Sequence, residues 1–252
     1  MSLFSDNPVA TLADVVRFET EKTLEQRYDA RSVYDIFAKS AARHPDRTAL
    51  TMLMTGADDE TPRIVTYRQM LEGITRAANF FASLGGRGVG VAYILPSLVE
   101  THFTLWGAET AGYAVPLNFL LQAQNIADLV HASGAKVLVA LGPHPQLDIW
   151  QKAVEVKKLL PDIKLVQVSL TDAPLPDSVI GFGPGLKAQD GSALAFGAAR
   201  SGDDVAAYFH TGGTTGLPKL VTHTHRMQIA AAFGGTVLQD LTETDAITNG
   251  LP

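Results

Sequence analysis

The chain has 252 residues, of which 46% are hydrophobic and 18% are charged, and its formal net charge is -6. This composition predicts a folded core, and the acidic balance gives no broad basic surface for binding nucleic acid or an anionic membrane. Because the sequence contains no cysteine, disulfides, thiolate zinc sites, iron–sulfur clusters and cysteine-bound thioesters are excluded.

The start of the chain carries no sign of a targeting segment. Residues 1–10 lack a basic region followed by an apolar core, which argues against a secretory signal. No apolar run approaches the roughly 20 residues that a membrane span needs. We therefore expect a cytoplasmic protein without a transmembrane segment, in which residues 1–30 form an N-terminal extension.

Alternating strand and helix patterns begin after this extension. Ser32 is placed to cap an amphipathic helix that ends at Pro45, and two β-rich runs follow at 47–54 and 63–67. Helices are then predicted at 68–84, 98–109, 124–133 and around 149–160, and strands at 89–95, 113–117, 136–141 and 164–170.

The later strands are continuously apolar instead of alternating between apolar and polar residues. That pattern is typical of a parallel sheet whose two faces are both covered by helices, which predicts the α/β fold class with a core at about residues 63–170. Right-handed crossovers would place the loops after these strands at one edge of the sheet, where ligands usually bind.

The composition changes after residue 170. Prolines and glycines recur through 171–202, which predicts a long connection, either a linker between domains or an excursion inside one domain. Region 203–252 then predicts strands at 204–210 and 220–223, a helix at 228–241 and another strand-like run from residue 246. Because that run stops without a helix to cover it, the chain is expected to be a fragment of a longer protein.

The strongest chemical signal lies between the strands predicted at 204–210 and 220–223. Residues 210–219 read HTGGTTGLPK, in which glycines permit close backbone approach, threonines supply hydroxyl groups and Lys219 supplies a positive charge. These residue types together suit a polyphosphate, and a glycine-rich hairpin turn without a ligand is the alternative. The spacing is not that of a Walker loop, because Leu217 and Pro218 follow Gly216.

Two other constellations of residues are disfavoured as functional sites. His210, His223 and His225 suggest a metal site, since residues 223 and 225 would share one face of a strand, but without a carboxylate partner such histidines are more often solvated or hydrogen-bonded. The glycines at 86, 88 and 90 precede a strand instead of following one, which excludes a dinucleotide-binding fingerprint.

Residues 206–225, AAYFHTGGTTGLPKLVTHTH, resemble the phosphate-binding signature of the adenylate-forming superfamily, which includes acyl-CoA synthetases, luciferases and peptide-synthetase adenylation domains. RSVYDIFAKSAARHPDRTAL at 31–50, VTYRQM at 65–70 and GAETAGYAVPLN at 107–118 match in the family's order. The resemblance covers 31–252 and implies an incomplete copy of the family's large amino-terminal domain, with the phosphate-loop region at its end.

The resemblance implies a two-step ligase that uses ATP, Mg²⁺ and coenzyme A. A carboxylate attacks the α-phosphate of ATP to give an acyl adenylate and pyrophosphate, and a thiol then displaces AMP. The β- and γ-phosphates are assigned to Thr211, Gly212, Gly213, Thr214, Thr215, Gly216 and Lys219. Leu220 departs from the family pattern, which usually has glycine after the Pro-Lys pair. No catalytic residue and no metal ligand is assigned within the chain.

The motif details favour an acyl-CoA synthetase. The resemblance implies that it activates a carboxylic acid, which we expect to be a fatty acid. Asn118 follows Pro116 and Leu117, and the loop reads TGGTTG where peptide synthetases commonly have TSGSTG. An adenylation domain that loads a carrier protein and a non-catalytic α/β binding module remain as alternatives. Since the family's later motifs are absent, the chain alone is expected to be inactive and to self-associate as a two-fold dimer through uncovered apolar surface.

Overall fold

The computed structural model describes residues 11–171, 174–176, 178–211 and 219–249. Its strands are β1 (Thr48–Met52), β2 (Arg63–Thr66), β3 (Gly90–Ile94), β4 (Tyr113–Pro116), β5 (Val137–Leu141), β6 (Lys164–Val168), β7 (Ile180–Gly181), β8 (Val205–His210) and β9 (Leu220–Thr224). Its helices are α1 (Leu12–Glu21), α2 (Leu24–Arg27), α3 (Val33–Arg43), α4 (Tyr67–Gly85), α5 (Val99–Ala111), α6 (Ala123–Ser133), α7 (Ile149–Leu159), α8 (Phe182–Lys187) and α9 (His225–Leu238).

The described strands form one large sheet and one small one. The large sheet has seven strands in the order β7-β6-β5-β3-β4-β8-β9, and its neighbouring strands are parallel except for the antiparallel pair β8 and β9. Strands β1 and β2 form a separate antiparallel pair. The expected α/β class with a largely parallel sheet flanked by helices is confirmed, and the antiparallel hairpin makes the sheet mixed.

The core lies along the centre of the large sheet. All five residues of β3 and all five of β5 are buried, so both faces of these strands are covered, as their uninterrupted apolar runs predict. Helices α4 and α5 pack closely against each other, because a Cβ added at Gly107 would lie 2.5 Å from the Cβ of Ala77. Gly112, which follows α5, lies against the backbone just before β3, and a Cβ there would be 2.1 Å from the carbonyl oxygen of Val89.

Polar caps begin the helices that the sequence predicts. The side chain of Ser32 accepts a hydrogen bond from the Asp35 N–H at the start of α3, and Thr66 forms a capping box with Gln69 at the start of α4. Gly86 ends α4 with a φ of 78°, a conformation that favours glycine. The residues expected to form the N-terminal extension include α1 and α2.

The region rich in proline and glycine, 171–202, contributes to the large sheet. Strand β7 pairs in parallel with β6, and Phe182 at the start of α8 is buried beside Phe80 and Phe81. Of the two alternatives left open by the composition, the structure shows an excursion that returns to the same sheet. The domain boundaries expected from composition stay a prediction.

Two predicted elements near the end of the chain need correction. The helix expected at 228–241 begins at His225 and ends at Leu238, because the Thr224 side chain accepts the Met227 N–H and caps the helix three residues earlier. The run from residue 246 is not a strand over 246–249, where no neighbouring strand among the described residues pairs with it, and 250–252 lie outside the described residues. Over the part of the chain that the structure describes, no helix is long and apolar enough to cross a membrane.

Candidate functional site

The predicted phosphate-binding segment lies at the turn of the β8–β9 hairpin. His210 pairs with Leu220 at the end of the hairpin ladder, and one residue further the Thr211 N–H donates to the Lys219 carbonyl at 2.9 Å. The Lys219 N–H donates to Thr211 Oγ1 at 3.3 Å. Thr211 and Lys219 are therefore brought together at the exposed base of the loop.

The remaining five residues assigned to the phosphates lie outside the described residues. They are Gly212, Gly213, Thr214, Thr215 and Gly216. Their assignment to the phosphates stays a prediction, and so does that of Thr211 and Lys219.

A cleft of about 510 Å³ lies beside this hairpin. It is bounded by the carboxyl ends of β3, β4 and β8 and by the residues that follow them, which is the edge where ligands of parallel sheets usually bind. Its lining consists of Tyr93, Leu95, Pro96, Ser97, Thr101, His102, Leu105, Pro116, Leu117, Asn118, Phe119, Leu120, Phe209, His210 and Asn249. Among the described residues the lining is largely apolar and includes no arginine, lysine, aspartate or glutamate.

One side-chain contact joins the hairpin to the cleft wall. The backbone N–H of Asn118, just after β4, donates to Nε2 of His210 at 3.1 Å. The sequence suggested His210 only as part of the loop motif or as a metal ligand. No local pattern could have revealed this contact, because the two residues are 92 positions apart.

The structure does not assemble the three histidines into a metal site. His225 is the first residue of α9 and not a strand neighbour of His223, because the chain turns at the cap residue Thr224. His225 is fully buried, its Nδ1 accepts the Val33 N–H at 3.3 Å, and burial lowers the pKa of its imidazole to about 4. The ring of His223 instead lies edge-on to that of Phe209, with centroids 4.9 Å apart.

A buried carboxyl group lies on α5, where no sequence motif marks it. Glu109 on α5 is 1% exposed, and its Oε1 accepts a hydrogen bond from Gln228 Nε2 of α9 at 2.8 Å. Its Oε2 has no hydrogen-bond partner among the described residues, and burial raises the pKa of the carboxyl to about 8. The one available signal was a glutamate within the otherwise uncharged stretch GAETAGYAVPLN.

Mg²⁺, which the resemblance implies, has no evident ligand set in the described part of the chain. No group of three histidine, cysteine, aspartate or glutamate residues there could hold a metal ion. We therefore assign no residue to Mg²⁺ and derive no step through it.

Comparison with known proteins identifies relatives over most of the chain. The family model described as AMP-binding enzyme matches residues 37–252. Marinolic acid–CoA ligase of Pseudoalteromonas sp. (strain SANK 73390) is 32% identical over 220 residues, which is 86% of this chain and 33% of that ligase. Long-chain-fatty-acid–CoA ligase FadD13 of Mycobacterium tuberculosis is 30% identical over 208 residues, covering 81% of this chain and 38% of that enzyme.

Solved structures share the fold at lower identity. Acetoacetyl-CoA synthetase from Streptomyces lividans superposes with a TM-score of 0.72 at 19% identity, covering 85% of this chain and 33% of that protein. The anthranilate CoA ligase AuaEII in complex with anthranoyl-AMP gives a TM-score of 0.66 at 22% identity, covering 81% of this chain and 37% of that protein. The chain spans about a third of the length of the relatives that it matches. From the family match and the relatives together, the chain belongs to the AMP-binding enzyme family, as its motifs predict.

Proposed function

We propose that this chain supplies the ATP-phosphate-binding part of an ATP-dependent acyl-CoA ligase. The observation that carries the proposal is the position of the glycine- and threonine-rich loop, whose base at Thr211 and Lys219 lies beside the cleft at the carboxyl edge of the sheet. The names of the relatives support the reaction class, since two of them are CoA ligases of marinolic acid and of long-chain fatty acids.

The proposed chemistry requires the loop to stabilise negative charge. A carboxylate oxygen attacks the α-phosphorus of ATP, the bond to the bridging oxygen breaks, and pyrophosphate leaves with the bonding electrons. Donors positioned around the leaving phosphates stabilise the charge that develops on them. Thr211 Oγ1 already accepts the Lys219 N–H, which leaves its own O–H proton to donate to a phosphate oxygen, and Lys219 adds a positive charge.

The cleft supports a substrate with an apolar acyl group. Leu95, Leu105, Leu117, Phe119 and Phe209 present hydrocarbon surface to it. Such a lining favours a hydrocarbon chain over a strongly polar acid. A fatty acid is therefore the substrate class that we propose.

Coenzyme A is the proposed thiol acceptor, and a carrier protein is the alternative. The names of the relatives favour coenzyme A, because they are CoA ligases. We further propose that residues 31–252 form part of the family's amino-terminal domain, and that the chain by itself does not form acyl adenylate. The reaction is proposed to take place in the cytoplasm.

The test is carboxylate-dependent exchange of labelled pyrophosphate into ATP by the encoded protein that contains this chain. We expect exchange with at least one fatty acid from a panel that also includes aromatic and short polar acids. Free coenzyme A and a phosphopantetheinylated carrier protein are then compared as acceptors. Absence of exchange with every acid, in a protein shown to be folded, would contradict the proposal, and acylation of the carrier alone would favour the alternative.

A further inference from the structure

The strands that meet at the candidate site are weakly joined through their backbones. Between β4 and β8 the parallel ladder registers only Ala114 with Ala207. Pro116 ends β4 and has no N–H with which to extend the ladder. The side chain of His210, which accepts a hydrogen bond from the Asn118 N–H, therefore adds a connection between the end of β8 and the residues after β4, at the edge that carries the cleft and the loop.

This contact defines the tautomer of the neutral imidazole. A nitrogen that accepts a hydrogen bond must present its lone pair, so the neutral ring of His210 carries its proton on Nδ1. Nδ1 is buried and has no hydrogen-bond partner among the described residues. The accepting bond from Asn118 is thus the interaction in this part of the chain that orients the ring.

Asn118 begins the turn that forms one wall of the cleft. Its side-chain Oδ1 accepts the Leu120 N–H at 2.9 Å, and its carbonyl accepts the Leu121 N–H at 3.1 Å. The carbonyl of Phe119, in the same turn, accepts Lys152 Nζ at 2.8 Å. Phe119 and Leu120 both line the cleft. This turn is therefore internally ordered, and His210, the residue before Thr211, connects it to the base of the loop.

We propose that His210 is a positioning residue, which as a neutral ring protonated on Nδ1 fixes the base of the phosphate-binding loop relative to the wall of the cleft. The inference rests on the proposed function, because it assumes that the acid occupies the cleft and that ATP lies at the loop. Loss of the contact would leave both subsites present but displaced from each other. The rate of adenylate formation would then fall more than the affinity for either substrate.

Two substitutions separate the roles of the two ring nitrogens. His210→Gln keeps an acceptor near the position of Nε2, whereas His210→Asn keeps a polar group near Nδ1 and cannot reach Asn118. His131→Gln is the matched control, because His131 is an exposed histidine on α6 away from the cleft lining.

The first measurement needs no activity and uses the 252-residue chain. We expect the ¹⁵N spectrum to show His210 protonated on Nδ1 only. Because Asn118 is an exposed residue, its amide hydrogen should exchange about tenfold faster in His210→Asn than in wild type, with near-normal exchange in His210→Gln. A ring protonated on Nε2, or equal exchange at Asn118 in all variants, would overturn the proposal.

The second measurement is pyrophosphate exchange by the encoded protein that contains this chain. We expect His210→Asn to lower kcat about tenfold with small changes in KM for ATP and acid, and His210→Gln to recover most of the loss. Equal losses in both variants, accompanied by equal falls in melting temperature, would reduce His210 to a structural role. If wild type exchanges with no acid, the proposed function fails, while the amide and ¹⁵N results still decide whether the contact exists.

Discussion

The centre of the large sheet and the β8–β9 hairpin differ in exposure and in what their side chains do. All ten residues of β3 and β5 are buried and contribute to the core, whereas β9 has no buried residue and forms an edge of the described sheet. Thr211 and Lys219, two of the residues proposed to bind phosphate, lie at the exposed end of the hairpin. Stability and chemistry are thus assigned to different strands of one sheet, and substitutions in the two regions should have separable effects.

The largest effect is expected where the chain is packed most tightly. In Gly112→Ala the new Cβ would lie 2.1 Å from the Val89 carbonyl oxygen and 2.5 Å from the Val89 nitrogen, and backbone atoms cannot move aside as a flexible side chain can. We expect the free energy of unfolding, measured by urea titration, to fall by about 3 kcal/mol.

Gly234→Ala is the matched control for that substitution. A Cβ at Gly234 in the interior of α9 meets no atom within 4 Å, so stability should stay the same or rise by up to about 1 kcal/mol. If the unfolding free energies of the two variants agree within about 0.5 kcal/mol, the backbone around Gly112 can relax to accept a methyl group. The contrast between the tightly packed sheet centre and the β8–β9 hairpin would then lose its basis.

A substitution in the hairpin should change the enzymatic activity and leave the stability of the fold unchanged. Lys219→Ala removes an exposed ammonium group that the proposed mechanism uses, so pyrophosphate exchange should fall about a hundredfold while the melting temperature stays unchanged. Lys158→Ala, an exposed lysine on α7, should change neither quantity. A lowered melting temperature with normal exchange in Lys219→Ala would indicate a purely structural turn.

A pH-dependent effect is expected from the buried groups between these regions. The pKa of Glu109 rises on folding from 4.5 to about 8, so between these values the folded state binds a proton that the unfolded state has lost, and stability falls as pH rises. The pKa of His225 drops from 6.5 to about 4, so between pH 4 and 6.5 it contributes the opposite slope. Below pH 6.5 the contributions of Glu109 and His225 to the pH dependence of stability oppose each other. Above pH 6.5 only the contribution of Glu109 remains of the two.

Glu109→Gln tests this assignment. Wild type should lose stability between pH 6.5 and 8, by at most about 1.4 kcal/mol per pH unit, whereas the variant should show a flatter profile over that interval. Urea unfolding at several pH values measures both. Parallel profiles for the two proteins would contradict a carboxyl that is protonated in the folded state at neutral pH.

The smallest effect is expected at exposed apolar side chains of β9, of the end of α9 and of the residues after α9. Val221, Leu238 and Ile247 are 42%, 83% and 74% exposed, and we predict that they support weak association into a two-fold dimer. Light scattering at micromolar concentration should give about twice the monomer mass of 26.9 kDa. Leu238→Ser should shift the protein toward monomer, and Leu159→Ser on α7 should not. A monomer at all concentrations would contradict the prediction.

Most of the fold could be predicted because its signals are local. The apolar run at 89–95 predicts β3, observed at Gly90–Ile94, and the cap at Thr66 begins α4 one residue before the predicted helix. Strand β7 could not be predicted, because its two residues lie among glycines and prolines and acquire regular structure only by pairing with β6. Short elements of this kind depend on a neighbour and leave no periodicity in the sequence.

The candidate site was predictable in part, for the same reason. The composition of the loop indicated phosphate binding because glycine, threonine and lysine act through intrinsic properties. The contact between His210 and Asn118 and the burial of Glu109 depend on tertiary placement over about a hundred residues of sequence separation, as the separations of 92 and 119 residues show. Neither leaves a local pattern.

Two histidines flank the proposed phosphate-binding hairpin, and both accept backbone N–H groups from much earlier parts of the chain. His210 binds residue 118 and His225 binds residue 33, at separations of 92 and 192 residues. Contacts between such distant positions form late in folding, because each must overcome the entropy of closing a long loop. During synthesis the earlier segments leave the ribosome first. Strands β3 to β7 can therefore pair before the hairpin is anchored, and the proposed phosphate-binding loop would take its place after the centre of the sheet has formed.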